Sequence, residues 1–185
     1  VTVILTESFY AIPIRFPSIL QYMHSAILDE VRHVYLNEDR NIIQFDKSCA
    51  RYDPYLTYTL RPGHCVFANR EFSTDLFVNG LGTRDTDEAS IKPEIVVLGD
   101  SFAMGWGVKQ DETFSKLLEK MVGMKVLNAG ISSYDTVREM RLFDRLDTSN
   151  IKYLILQYCD NDYAENVKFH KEKSYKIMNR QLYDH

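Results

Sequence analysis

Residues 95–98 read Ile-Val-Val-Leu and run straight into Gly99-Asp100-Ser101. A serine hydroxyl is a weak nucleophile until a base takes its proton, yet this one stands in a useful place. A short apolar run bounded by turn residues is the pattern of a buried strand, and open α/β sheets bind ligands beyond the carboxyl ends of such strands. Gly99 lets the backbone turn sharply there, so that Ser101 projects from the sheet edge. Two more turns follow apolar runs downstream, Asn128-Ala129-Gly130 and Cys159-Asp160-Asn161-Asp162. If the three runs are parallel strands of one sheet, the three turns meet. They then bring together the parts of an acyl-transfer site: Ser101 to attack a carbonyl, and the N–H groups of Ser101 and Gly130 with the Asn161 side-chain amide to stabilise the oxyanion. Taken singly, each has an ordinary structural reading. Ser101 can cap the following turn, Gly130 can be a plain turn glycine, and Asn161 can bond within its own loop. Their recurrence at three successive strand ends favours a site.

The elements needed to position these groups are legible. From Ile95 onward the pattern alternates β-α-β-α-β-α. Ile95–Leu98 predicts one strand, residues 125–127 a second and residues 153–158 a third. Asp111 is placed to cap a helix carrying Phe114, Leu117, Leu118 and Met121, and Asp135 to cap one carrying Val137, Met140, Phe143 and Leu146. A polar helix follows the third strand to about Met178. Strands alternating with helices imply a parallel sheet covered on both faces. The expected class is therefore α/β, a three-layer α/β/α core over residues 91–185. Upstream, residues 41–90 hold Pro54, Pro62, Gly63, Gly80 and Gly82 between short Tyr-, Phe- and Val-rich runs, which predicts a small β-rich lobe of hairpins and loops. Residues 1–40 form an N-terminal segment. In it Ile19, Met23, Ile27, Val31 and Val34 make one apolar face of a helix over 17–36, with Pro17 suiting its first turn.

Composition narrows the function further. With 22 Lys+Arg against 26 Asp+Glu the net charge is −4 and no basic run stands out, which argues against a nucleic-acid partner. Met104-Gly105-Trp106-Gly107 is neither a dinucleotide fingerprint nor a phosphate loop. Trp106 either lines a pocket or packs, and Tyr134 is placed to face the site. Asp160 and Asp162 without a third ligand do not make a metal centre, so no metal and no cofactor are expected. Cys49 and Cys65 share a loop-rich stretch and are either a disulfide in an oxidising compartment or two buried thiols. Cys159 is expected to be packed and unpaired. The first fourteen residues are apolar but too short to span a bilayer and lack the marks of an intact signal peptide. They read either as an ordinary strand or helix or as the remnant of a membrane anchor lying upstream.

The three turns together resemble the motif blocks of the SGNH (GDSL-type) hydrolase superfamily. Gly99-Asp100-Ser101-Phe102 resembles its first block, Asn128-Ala129-Gly130 its second, and Asn161-Asp162 its third. Val78 to Asp85 resembles a segment that precedes the first block in envelope-associated bacterial members, where Arg84 would be structural. The resemblance implies a flavodoxin-like fold, Ser101 as nucleophile and backbone oxyanion donor, and Gly130 and Asn161 as the other two donors. Asp100 would be structural. The implied activity is serine esterase chemistry on a small-molecule or carbohydrate ester, in the periplasm or cell envelope. An O-acyltransferase of envelope glycans, or a glycan-binding module lacking a complete triad, are the alternatives. The chain departs from the family pattern in two places. Cys159 stands where the family has glycine. The catalytic Asp-x-x-His block is not found: none of His24, His33, His64, His170 and His185 has an aspartate three residues before it. A chain that stops short of that block is the expectation, with His185 the remaining candidate base.

Overall fold

The computed structural model describes Tyr22, His24 and residues 42–69, 72–173 and 177–184, the Asn161 side chain excepted. The chain divides into two units, Val1–Ile42 and Ile43–His185. The helix expected over 17–36 lies outside the described residues. Among the described residues no helix is long and apolar enough to cross a membrane.

The second unit is a mixed α/β body. Its centre is a three-stranded parallel sheet of β5 (Ile95–Leu98), β6 (Val126–Asn128) and β7 (Tyr153–Leu156), in the order β6-β5-β7. Ile95 pairs with Val126 on one side and with Tyr153 on the other. All four residues of β5 are buried, which is why this strand reads as an unbroken apolar run rather than an alternating one. Val96 and Leu98 pack with Leu127, Leu142 and Leu146, while Ile95 and Val97 pack with Ala103, Val126 and Leu118. Leu142 lies on helix α4 (Thr136–Phe143) and Leu118 on α3 (Phe114–Val122), so a helix covers each face of β5. Two short helices flank the strand, α1 (Asp87–Ser90) before it and α2 (Ser101–Met104) after it. The sequence then closes with α5 (Asp160–Glu172) and α6 (Arg180–Asp184).

The residues upstream form two antiparallel hairpins, β1 (Ala50–Asp53) with β2 (Thr57–Leu60) and β3 (Gly63–Ala68) with β4 (Ser73–Val78). Inward and outward positions alternate along β3 and β4 as a half-buried hairpin requires. A Cys49–Cys65 disulfide ties the turn before β1 to β3. The first hairpin is built into the core: Ala50, Leu56 and Tyr58 share one cluster with Val96, Leu98 and Leu127. The buried Tyr134 hydroxyl donates to the Tyr58 carbonyl, so this tyrosine links hairpin to sheet. It does not present its hydroxyl at the strand ends.

Several boundaries differ from expectation for local reasons. Asp111 does not cap α3. It lies within a 3-10 turn, Gln110–Glu112, and the helix begins after Thr113. The second strand is displaced one residue, to Val126–Asn128, and the third stops at Leu156 because its partner β5 ends at Leu98. Asp135 does cap α4, its carboxylate accepting from Arg138 N. The face this helix buries, however, is Glu139 and Leu142, with Met140 exposed. Strand β7 is a sheet edge whose apolar residues stand partly in solvent, Tyr153 at 60% and Leu154 and Leu156 above 40%.

Candidate active site

The strand order fixes where a site can form. The chain leaves β5 toward β6 on one side and later returns to β7 on the other, so β5 is the strand at which the connections reverse direction. Ligands of open α/β sheets bind at that reversal, beyond the carboxyl ends. Gly99, Asp100 and Ser101 follow β5 at that point, and the turns after β6 and β7 open beside them.

Ser101 is the first residue of α2. Asp100, the preceding residue, is nearly fully buried, and its carboxylate accepts from Phe102 N at 2.9 Å as the helix N-cap. Its role is structural. Gln157, just beyond β7, braces the same helix: its Oε1 lies 3.2 Å from Asp100 N and 3.3 Å from Ala103 N and accepts from both. Gly99 must be glycine, because a Cβ there would fall 2.6 Å from both Gln157 Oε1 and Ala103 Cβ. The Ser101 side chain is half-buried, and among the described residues neither its hydroxyl nor its amide N–H has a hydrogen-bond partner. Its carbonyl accepts from Gly105 and Trp106 N, closing the helix at Gly105 in the left-handed conformation.

The second turn packs directly on this helix. A Cβ on Gly130 would lie 2.7 Å from the Ala103 carbonyl carbon and closer still to Met104 N, so backbone meets backbone with no room for a side chain. Ile131 N donates to the Gly99 carbonyl at 3.0 Å, joining the first and second turns. The Gly130 N–H donates to Asn128 Oδ1 at 3.1 Å and is therefore engaged within its own turn. The third turn runs into α5, whose second residue is Asn161; its side chain lies outside the described residues. Asp162, fully buried, accepts from Cys159 N at 2.7 Å and locks the turn. Cys159 is a free thiol. Burial, and then the neighbouring Asp100, push that thiol up; the join between the end of β7 and the first turn is the Gln157 bond to Asp100 N.

Two features were not read as part of this region. Arg84 is 1% exposed, and its guanidinium donates to the carbonyls of Gly105 (2.5 Å), Val108 (2.7 Å), Met104 and Asp75 (3.3 Å each) and to Gln110 Oε1 (3.0 Å). Burial lowers its pKa to about 10, still charged at neutral pH. It pins the loop that follows the serine helix, so its role is structural. Glu139 is the second: both side-chain oxygens are buried without a partner. Trp106 packs against Phe67 and Phe72; its role is packing.

Neither described histidine of the second unit bonds to the serine. His64 is on the β3–β4 hairpin with Asp75, 2.7 Å away and exposed. His170 is exposed on α5 beside Lys173. His33 and His185 lie outside the described residues. No family model and no curated protein matches the chain.

Proposed function

We propose that this chain carries the serine centre of an SGNH-type carboxylic ester hydrolase, on the three-layer flavodoxin-like fold of that superfamily. The observation that carries the reading is the junction of the first two turns. A half-buried serine with unpaired hydroxyl and amide stands at the reversal point of a parallel sheet, on a four-residue helix against which Gly130 packs backbone to backbone. In the proposed reaction, Ser101 Oγ bonds to the ester carbonyl carbon and its proton passes to a base. The tetrahedral oxyanion accepts from the Ser101 amide, the Gly130 amide and the Asn161 side chain, the Gly130 N–H exchanging Asn128 for the oxyanion. The C–O bond to the alcohol breaks, the alcohol leaves protonated, and water attacks the acyl-serine to release the acid. A histidine held by an aspartate is the base this chemistry asks for, and the described residues do not supply it.

One observation favours a second reading, a binding module that keeps the pocket without turnover: Ser101 has no described base and the Gly130 N–H is already engaged. A fluorophosphonate probe separates the two. An esterase labels at Ser101, loses the label in Ser101→Ala, and turns over p-nitrophenyl acetate. Absence of both labelling and turnover, in the longest natural form of the chain, would leave the binding module standing and the esterase refuted.

A further inference from the structure

A cavity of about 360 Å³ opens between the first hairpin and α6. It shares no residue with the three turns around Ser101, and its volume falls in the range of small-molecule sites. Four of the residues lining it are basic, Lys47, Arg51, Arg61 and Arg180, and one is acidic, Asp184. They come from separate places in the fold: the turn before β1, β1 itself, the residue after β2, and α6. Four cations against one anion leave the wall at +3, on a chain whose net charge is −4. A cleft lined by one sign of charge concentrates the opposite sign from solution.

The basic groups are held by neutral oxygens rather than by carboxylates. Arg51 Nε donates to Thr59 Oγ1, its partner across the hairpin, at 3.3 Å. Arg61 Nε donates to the Lys47 carbonyl at 3.1 Å and its Nη2 to the Ala50 carbonyl at 3.4 Å. Lys47 Nζ donates to the Asp184 carbonyl at 3.3 Å. Among the described residues no carboxylate pairs with Lys47, Arg51 or Arg61; Arg180 alone has one, Asp184 at 3.4 Å. A guanidinium fixed at Nε is oriented while keeping terminal N–H groups for an oxyanion. Tyr52 and Tyr183 also line the cavity, their ring centroids 5.6 Å apart. The Tyr183 hydroxyl is committed to the Gln44 carbonyl at 2.6 Å, which leaves its ring as apolar wall.

We propose that this cavity binds a small organic molecule carrying two or more negative charges on oxygen, a phosphate monoester or a polycarboxylate. Arg51 and Arg61 take its charged groups, Lys47 and Arg180 complete the cationic wall, and the tyrosine rings meet its body. A neutral molecule gains nothing from the surplus charge. The site does not rest on the esterase reading.

Isothermal titration of the whole chain at neutral pH tests this with glucose 6-phosphate, citrate and glucose. At least one of the two anions should bind saturably at a single site, with glucose silent, and the anion preferred tells phosphate from carboxylate recognition. Binding should weaken as salt is added. Arg51 and Arg180 are both exposed, so Arg51→Gln with Arg180→Gln removes two charges without emptying the core, and should weaken binding about tenfold or more. Lys120→Gln with Lys168→Gln removes the same charge from exposed lysines outside the cavity and should stay within about twofold of wild type. Equal affinity in wild type and the double arginine variant would overturn the proposal. So would a loss as large in the double lysine variant, or failure of both anions to saturate the chain by about 10 mM. Glucose binding as tightly as the anions overturns it with no variant needed.

Discussion

Substituting Gly130 by alanine perturbs one atom at the point on which the site depends. The new Cβ would sit 2.7 Å from the Ala103 carbonyl carbon and 2.7 Å from Ala103 Cβ, where ordinary contact begins at 3.4 Å. The glycine's φ is not in the left-handed region, so the cost is steric rather than conformational. The atoms in the way are mostly backbone and cannot rotate aside. The serine helix must therefore retreat by about 1 Å, or the β6 turn must, in an interior packed as densely as a crystal. Overpacking of this kind costs about 1–3 kcal/mol, which lowers the melting temperature of a chain this size by roughly 3–10 °C. A 1 Å displacement of a nucleophile costs about a hundredfold in rate. Gly130→Ala is thus expected to melt lower and to react with fluorophosphonate about a hundred times more slowly than wild type. A variant that melts within 1 °C of wild type would refute the packing argument outright. One that melts lower but labels at the wild-type rate would refute the link from packing to the serine.

Two further outcomes follow from the framework around the site. Arg84→Met removes five donors from a buried cluster of carbonyls and should cost about 3–5 kcal/mol; urea denaturation within 1 kcal/mol of wild type would contradict the anchoring role. Reducing the Cys49–Cys65 bridge, which spans 16 residues, should cost about 3 kcal/mol, and an unchanged melt in reductant would show that the hairpins hold themselves.

The elements nearest the candidate site were the most legible in the sequence. Ile95–Leu98 is apolar at every position because both faces are covered, and a run of that kind bounded by Gly99 has few other readings. Asp135 announced its helix because an N-cap carboxylate acts through local backbone alone. The misreadings arose where distant packing decides. Asp111 looked like a cap, but the 3-10 turn around it moves the helix start to Thr113. Met140 looked like a core position, yet it is exposed and its neighbour Glu139 is buried, because burial there is decided by what lies across from the helix. Arg84 drew attention only as part of a resembling segment; its five acceptors lie on β4, at Asp75, and on the loop over residues 104–110, contacts that periodicity does not reveal. Glu139 carried no signal, since a glutamate in the first turn of a helix is ordinarily a solvated one.

The pairing pattern also sets an order of assembly. Each hairpin joins neighbours in sequence, as Tyr52 with Tyr58, whereas β5 waits for partners as remote as Tyr153. Hairpins form in microseconds, and contacts between distant segments carry a loop-closure cost that slows them. Ser101, Gly130 and the β7 turn all hang on the remote pairings. In refolding from denaturant, strand and helix signals should therefore recover before any reactivity at Ser101, and a chain that has regained its circular dichroism has not yet regained the place where its chemistry would occur.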